Sequence, residues 1–154
     1  MKTKIAQLLP ILVFMLFSYF LIGSNFSAKL GIIDDHEIAT FLGQDGVVKP
    51  SEFVPTLMTT EVGQWGSATR YRPSYYSMRI LETAMWKDNA GLWYGARFVS
   101  LMISMVLAWK ILSIYFPGII AYLFVFYALT MPFWPDLLTR LGPSEIYALP
   151  ALLF

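Results

Sequence analysis

Cysteine is absent from this sequence, and with it go disulfide scaffolds, thiolate nucleophiles, iron–sulfur clusters and cysteine-ligated zinc. Histidine is almost absent as well: His36 stands alone, so an imidazole metal site finds no second ligand of its kind. Charge is scarce, at 14% of residues against roughly a quarter in soluble domains. Eleven basic and ten acidic side chains leave a net charge of +1, which gives nucleic acid no basic field to bind. Phosphate-binding loops, dinucleotide fingerprints, HExxH and GxSxG are all missing. What the chain has instead is apolar bulk, 57% hydrophobic and 17% aromatic residues. That excludes disorder, because such a chain collapses rather than staying solvated.

The few charges are segregated. Lys2 and Lys4 precede an uncharged run from Ile5 to Ala28, of which 5–22 has the length of a bilayer-spanning helix. A cleaved signal peptide is the competing reading, but cutting after Ala28 would set Phe26 at the −3 position, where a small residue is needed. Residues 23–97 then hold eight of the ten acids and read as a large polar loop. Two further apolar segments, 98–116 and 119–134, meet at Pro117-Gly118, where a helix must stop and turn. A short loop, 135–145, leads into an apolar stretch, 146–154, that covers less than half of a hydrocarbon core of about 30 Å. The expected fold is all-α and transmembrane, with about four spans, the last incomplete, and a large first extracytoplasmic loop carrying amphipathic helices. The chain is expected to be the N-terminal part of one transmembrane domain. The lysine pair places the N-terminus in the cytoplasm by the positive-inside tendency, and Lys110 then falls near the cytoplasmic end of the second span, where it can snorkel.

Three polar constellations lie on the outer face in this topology. Asp34-Asp35-His36-Glu37 follows the first span; crowded carboxylates beside a low-dielectric border can rise in pKa far enough to serve as a general base. The same residues also read as a helix start, with Asp34 and Glu37 at capping-box spacing, Ile38, Phe41 and Leu42 as the buried stripe and Gly43 as the stop. The second is Arg70-Tyr71-Arg72-Pro73-Ser74-Tyr75-Tyr76. Arginines at i and i+2 in extended backbone point the same way and suit a phosphate; an interfacial loop held by arginines and an aromatic belt is the plainer alternative. After it, 77–86 reads as an amphipathic helix that packs through Met78, Leu81 and Met85 and keeps Arg79 and Glu82 off that face. The third, Asp136, Arg140 and Glu145, sits in the short loop among prolines and Gly142, as a set lining a cavity or as an Asp136–Arg140 pair closing a turn.

The order of these motifs resembles the integral-membrane glycosyltransferases of the GT-C fold, and is similar to the protein O-mannosyltransferase branch and to bacterial enzymes that use polyprenyl-phosphate sugars. There an acidic pair follows the first span, an R-x-R-P segment precedes an amphipathic helix, and a segment like Leu92-Trp93-Tyr94-Gly95-Ala96-Arg97 leads into the second span; Leu141-Gly142-Pro143-Ser144-Glu145 is similar to the start of a later span. The resemblance covers the opening third or less of such an enzyme. It implies transfer of a sugar from a lipid-phosphate carrier to an acceptor hydroxyl on the non-cytoplasmic face, in a bacterial inner membrane. By position Asp34 would be the base, Asp35 the next candidate, and Arg70 and Arg72 would hold the departing phosphate. His36, Glu37, Tyr71, Asp136, Arg140 and Glu145 would line the cavity. No resident cofactor is implied; some relatives use a divalent metal, which nothing in the sequence fixes. The rival expectation is a non-catalytic small membrane subunit, or a decayed fragment, docked on a larger membrane protein. Because the chain has no native cysteine, the topology is directly testable: in intact cells a membrane-impermeant maleimide is expected to label Gln44→Cys and to reach Pro117→Cys only after permeabilisation, and the reverse pattern inverts the topology.

Overall fold

The computed structural model describes residues 2–29, 36–64, 71–132, 134, 137–138, 140–141 and 145–154. Regular structure among them is helical throughout. The chain divides into two compact units, one of residues 1–28 with 94–154 and one of residues 29–93.

In the first unit α1 (Lys2–Ile22) runs into a 3-10 turn, Gly23–Ser27. Its buried positions, Pro10, Phe14, Ser18 and Ile22, recur every four residues, while Leu9, Leu12, Leu16 and Phe20 face outward. One narrow stripe therefore does the packing and the remaining circumference is apolar without a protein neighbour, the pattern of a helix solvated by hydrocarbon. The stretch Leu8–Ser27 is long and apolar enough to cross a membrane, as is α5 (Ala90–Tyr115). Phe14 meets the rings of Tyr122 and Phe126 at 5.3 and 5.8 Å, and Phe17 stands edge-on to Phe126 at 4.8 Å. Those partners belong to α6 (Gly118–Leu129).

The second span was expected over 98–116, yet α5 begins at Ala90, so Trp93, Tyr94 and Arg97 are helical rather than part of a loop. Asn89 caps it, its Oδ1 accepting from the Leu92 N–H at 3.2 Å. The buried residues of α5 recur at spacings of three and four: Trp93, Tyr94, Arg97, Ser100, Leu101, Ser104 and Met105. Arg97 is enclosed because the Leu141 carbonyl accepts from its guanidinium and the Tyr147 ring lies 6.0 Å away. Ser100 donates to the Ile146 carbonyl at 2.7 Å, which ties α5 to the first turn of α7 (Glu145–Leu153). The turn at Pro117-Gly118 stands as expected, with the Pro117 carbonyl accepting from Ile120 and Ala121 to open α6. α6, however, ends at Leu129 rather than near 134. Thr130 donates to the Tyr127 carbonyl and the Trp134 indole to the Ala128 carbonyl, both at 2.7 Å, so side chains take up carbonyls that a continuing helix would use. Twelve residues rise about 18 Å, short of the hydrocarbon core. Among the described residues two helices have the length and composition of spans, and Gly118–Leu129 is a shorter apolar helix.

The second unit contains α2 (His36–Leu42), α3 (Phe53–Thr59) and α4 (Pro73–Trp86), with α2 and α3 both packed on α4. α2 buries Ile38 and Leu42 and stops at Gly43, whose φ of +60° is the left-handed value glycine accepts. Asp45, Lys49 and Glu52 form a small surface ion cluster leading into α3. α4 starts with Pro73 at its first position, earlier than residue 77, and its orientation reverses the expected one. Met78, Leu81 and Met85 are outside; Tyr76, Arg79, Ile80, Glu82 and Thr83 are inside.

Two glycine substitutions separate backbone strain from free space. Gly43→Ala is expected to lower stability by about 1 kcal/mol from the left-handed backbone alone, since an added Cβ meets nothing closer than 4.0 Å. Gly95→Ala, inside α5 with open space around it, is expected to be neutral or stabilising by up to about 1 kcal/mol. Thermal melts of both variants in one detergent check the difference.

Candidate functional site

Two of the sequence constellations meet on α4. Pro73 fixes the start of the helix, and from there Arg72, Tyr75, Tyr76, Arg79 and Glu82 follow at helical spacing along one side. α2 supplies Glu37 to that side. The Tyr75 hydroxyl donates to Glu37 Oε2 at 2.9 Å, and Arg79 Nε lies 3.7 Å from the same oxygen. Arg79 is 2% exposed and its guanidinium lies over the Trp93 ring at 4.8 Å. Trp93 is held in place by its indole N–H, which donates to the Lys87 carbonyl at 2.9 Å, and by Trp86 edge-on at 5.2 Å. A cation this deep needs an anion and polarisable neighbours to offset lost hydration, and here it has both.

Arg72 approaches the cluster from the other end. Its guanidinium stacks over Tyr75 at 4.8 Å and Tyr76 at 5.6 Å and reaches Glu61 at 3.5 Å. Tyr75 thereby joins the two segments, its hydroxyl on Glu37 and its ring face on Arg72. Burial, the nearby Glu37 charge and the hydrogen bond to Glu37 all push the Tyr75 hydroxyl above the usual tyrosine range. Burial and then Glu61 raise Tyr76 as well. Both therefore stay neutral at any physiological pH; Tyr75 donates to Glu37, and both rings lie beneath the Arg72 guanidinium. The sequence suggests Tyr75 and Tyr76 for an aromatic belt; in the structure Tyr75 is half-buried with its hydroxyl on Glu37 of α2, and Tyr76 is buried.

His36 is exposed at the first position of α2, with its carbonyl accepting from Thr40. Tyr71 is exposed just before α4, and Arg140 is exposed in the other unit. Asp34, Asp35, Arg70 and Asp136 lie outside the described residues, as does the side chain of Glu145. Among the described residues no group of three or more His, Asp or Glu stands together as a set that could hold a metal ion. The first unit has a carbon-lined cleft of about 140 Å³ among Leu101, Met105, Leu112, Phe124, Val125 and Leu129, which suits only apolar matter.

Sequence reasoning missed Glu61, Arg79, Glu82 and Trp93 as members of the cluster. The available signal was a second stripe on α4: Arg72, Tyr75, Tyr76, Arg79 and Glu82 share a side just as Met78, Leu81 and Met85 do, and acids elsewhere in the same loop are its natural complement.

Removing the Tyr75 donor leaves the Glu37 carboxylate short of one hydrogen bond, so Tyr75→Phe is expected to cost about 1 kcal/mol. In a Glu37→Ala background the same substitution is expected to cost close to nothing, and full additivity in a melting cycle would show that no such network exists. Since the folded-state value is raised, the contribution of neutral Tyr75 is intact below about pH 10 and is lost as pH climbs through the raised value. Absorbance titration of the tyrosinate band is expected to lose amplitude in Tyr75→Phe only at the alkaline end. Comparison of the chain with protein-family models, with curated proteins and with solved structures gives no match.

Proposed function

We propose that the chain is part of an integral-membrane glycosyltransferase that moves a sugar from a lipid-phosphate carrier to an acceptor hydroxyl on the non-cytoplasmic face, in a bacterial inner membrane with the N-terminus inside. The observation that carries this reading is the bridge at Tyr75, which links the acidic segment after the first apolar helix to the arginine segment before α4. A transfer of this kind needs those two functions side by side: a carboxylate for the acceptor proton and cations for the leaving phosphate.

Asp34, two residues ahead of α2, takes the acceptor proton, with Asp35 the second candidate. The acceptor oxygen forms its bond to the anomeric carbon as the bond from that carbon to the phosphate oxygen breaks, with inversion. The phosphate leaves with the electron pair, and Arg70 and Arg72 steady its growing charge. Arg72 is half-exposed and its contact with Glu61 is long, so an exposed pair of this kind yields to a phosphate at little cost. His36, Glu37 and Tyr71 are further candidates for the same site, and Asp136, Arg140 and Glu145 are candidates by sequence position only. The short segments α6 and α7 count as the third and fourth spans in this reading.

One observation favours a second reading, a non-catalytic subunit on a larger membrane protein. Glu37 is engaged by Tyr75 and Arg79, and Arg72 by Glu61, as ionisable groups in a structural core are. Asp34→Asn and Asp35→Asn discriminate the two in the full-length product in its own membrane. For the enzyme, Asp34→Asn is expected to lower transfer of labelled sugar from a polyprenyl-phosphate donor by a factor of about 100 or more while membrane assembly is unchanged. Unchanged transfer in both variants, or lost assembly, supports the subunit.

A further inference from the structure

The outward side of α4 is built the wrong way round for a helix bordering water. Ser74, Met78, Leu81 and Met85 are its exposed residues before Trp86, and at about 100° per residue they fall within about 60° of arc over a length of about 16 Å. No charge lies on that stripe. Met78, Leu81 and Met85 are 39, 46 and 63% exposed, whereas Arg79 and Glu82, the charges that would suit water, are 2 and 5% exposed. Turning two charges inward and three long apolar side chains outward is costly in water and favourable against hydrocarbon.

The chain itself limits how far the end of α4 can lie from α5. Only Lys87, Asp88 and Asn89 separate Trp86 from Ala90, the first residue of α5, so the end of α4 lies within about 14 Å of the start of a helix long and apolar enough to cross a membrane. The ends of α4 carry interfacial residue types: exposed Tyr71 before it, half-buried Trp86 and exposed Lys87 at its close.

We propose that α4 is an interfacial helix, lying along the bilayer surface with Met78, Leu81 and Met85 in the boundary between headgroups and acyl chains. Its occupant is lipid, and the inward charge cluster is what holds this face out. The proposal rests on the membrane part of the reading above, not on the transferase chemistry.

The test uses the full chain in phosphatidylcholine–phosphatidylglycerol vesicles, with single cysteines at residues 78, 81 and 85 carrying an environment-sensitive fluorophore. Ile103→Cys, on the outward side of α5, and Gln44→Cys, exposed in the loop after α2, are the controls. Labels at 78, 81 and 85 are expected to be quenched by brominated lipid, as at 103, and to be several-fold less accessible to aqueous iodide than the label at 44. If 103 is quenched by brominated lipid while 78, 81 and 85 respond to iodide like 44, α4 faces water and the proposal fails with the membrane reading intact. If 78, 81 and 85 are shielded from both quenchers, protein covers the stripe and the proposal also fails. If 103 itself escapes the lipid quencher, the membrane reading falls and takes this one with it.

Discussion

The arrangement of residues 29–93 depends on one buried cation. Arg79 is almost fully enclosed between the Glu37 carboxylate and the face of Trp93, and a guanidinium in that position cannot be turned out without emptying the centre of the unit. It fixes the rotation of α4 about its own axis. From that rotation follow the inward position of Tyr76 and Ile80, the seat of α2 against α4, and the outward row of methionines. The pairing of Arg79 with Glu37 is not of itself a large source of stability, because desolvation offsets much of the attraction. It specifies which way round the helix sits.

The sequence was informative where a local rule had no competitor. An uncharged run flanked by lysines gave α1, Gly43 marked the end of α2 through a backbone angle that favours glycine, and Pro117-Gly118 marked the break between α5 and α6. It misled where two rules competed. On α4 the apolar stripe and the polar stripe were equally regular, and the assumption that apolar residues turn inward holds only when water is outside. At the head of α5, Arg97 looked like the limit of a span because a charge in a helix is costly; the Leu141 carbonyl that makes it affordable lies 44 residues on, beyond any local window. The early end of α6 has a local cause, since the Trp134 indole that takes up the Ala128 carbonyl is only six residues on but reads from the sequence as one more apolar residue of the span.

For the candidate site, the sequence identified the two segments but not the residue that joins them. Glu37 and Arg72 were both singled out, while Tyr75 was read only as an aromatic at the interface; the structure gives it a hydroxyl contact to one and a ring contact to the other. Neutral tyrosines kept from ionising by burial are well suited to that role, because they orient charged neighbours without adding a charge of their own.

The bond between Arg97 and the Leu141 carbonyl also has a meaning in time. The ribosome adds about 5–20 residues each second, so the 44 residues between donor and acceptor take about two to nine seconds to make. α5 is complete only once Tyr115 has been added, so for the remaining 26 residues, about one to five seconds, it exists as a hydrophobic rod while the acceptor for its arginine does not. A helix of this length and apolarity therefore leaves the ribosome with its arginine unpaired to Leu141, and the bond closes only after the later segment follows.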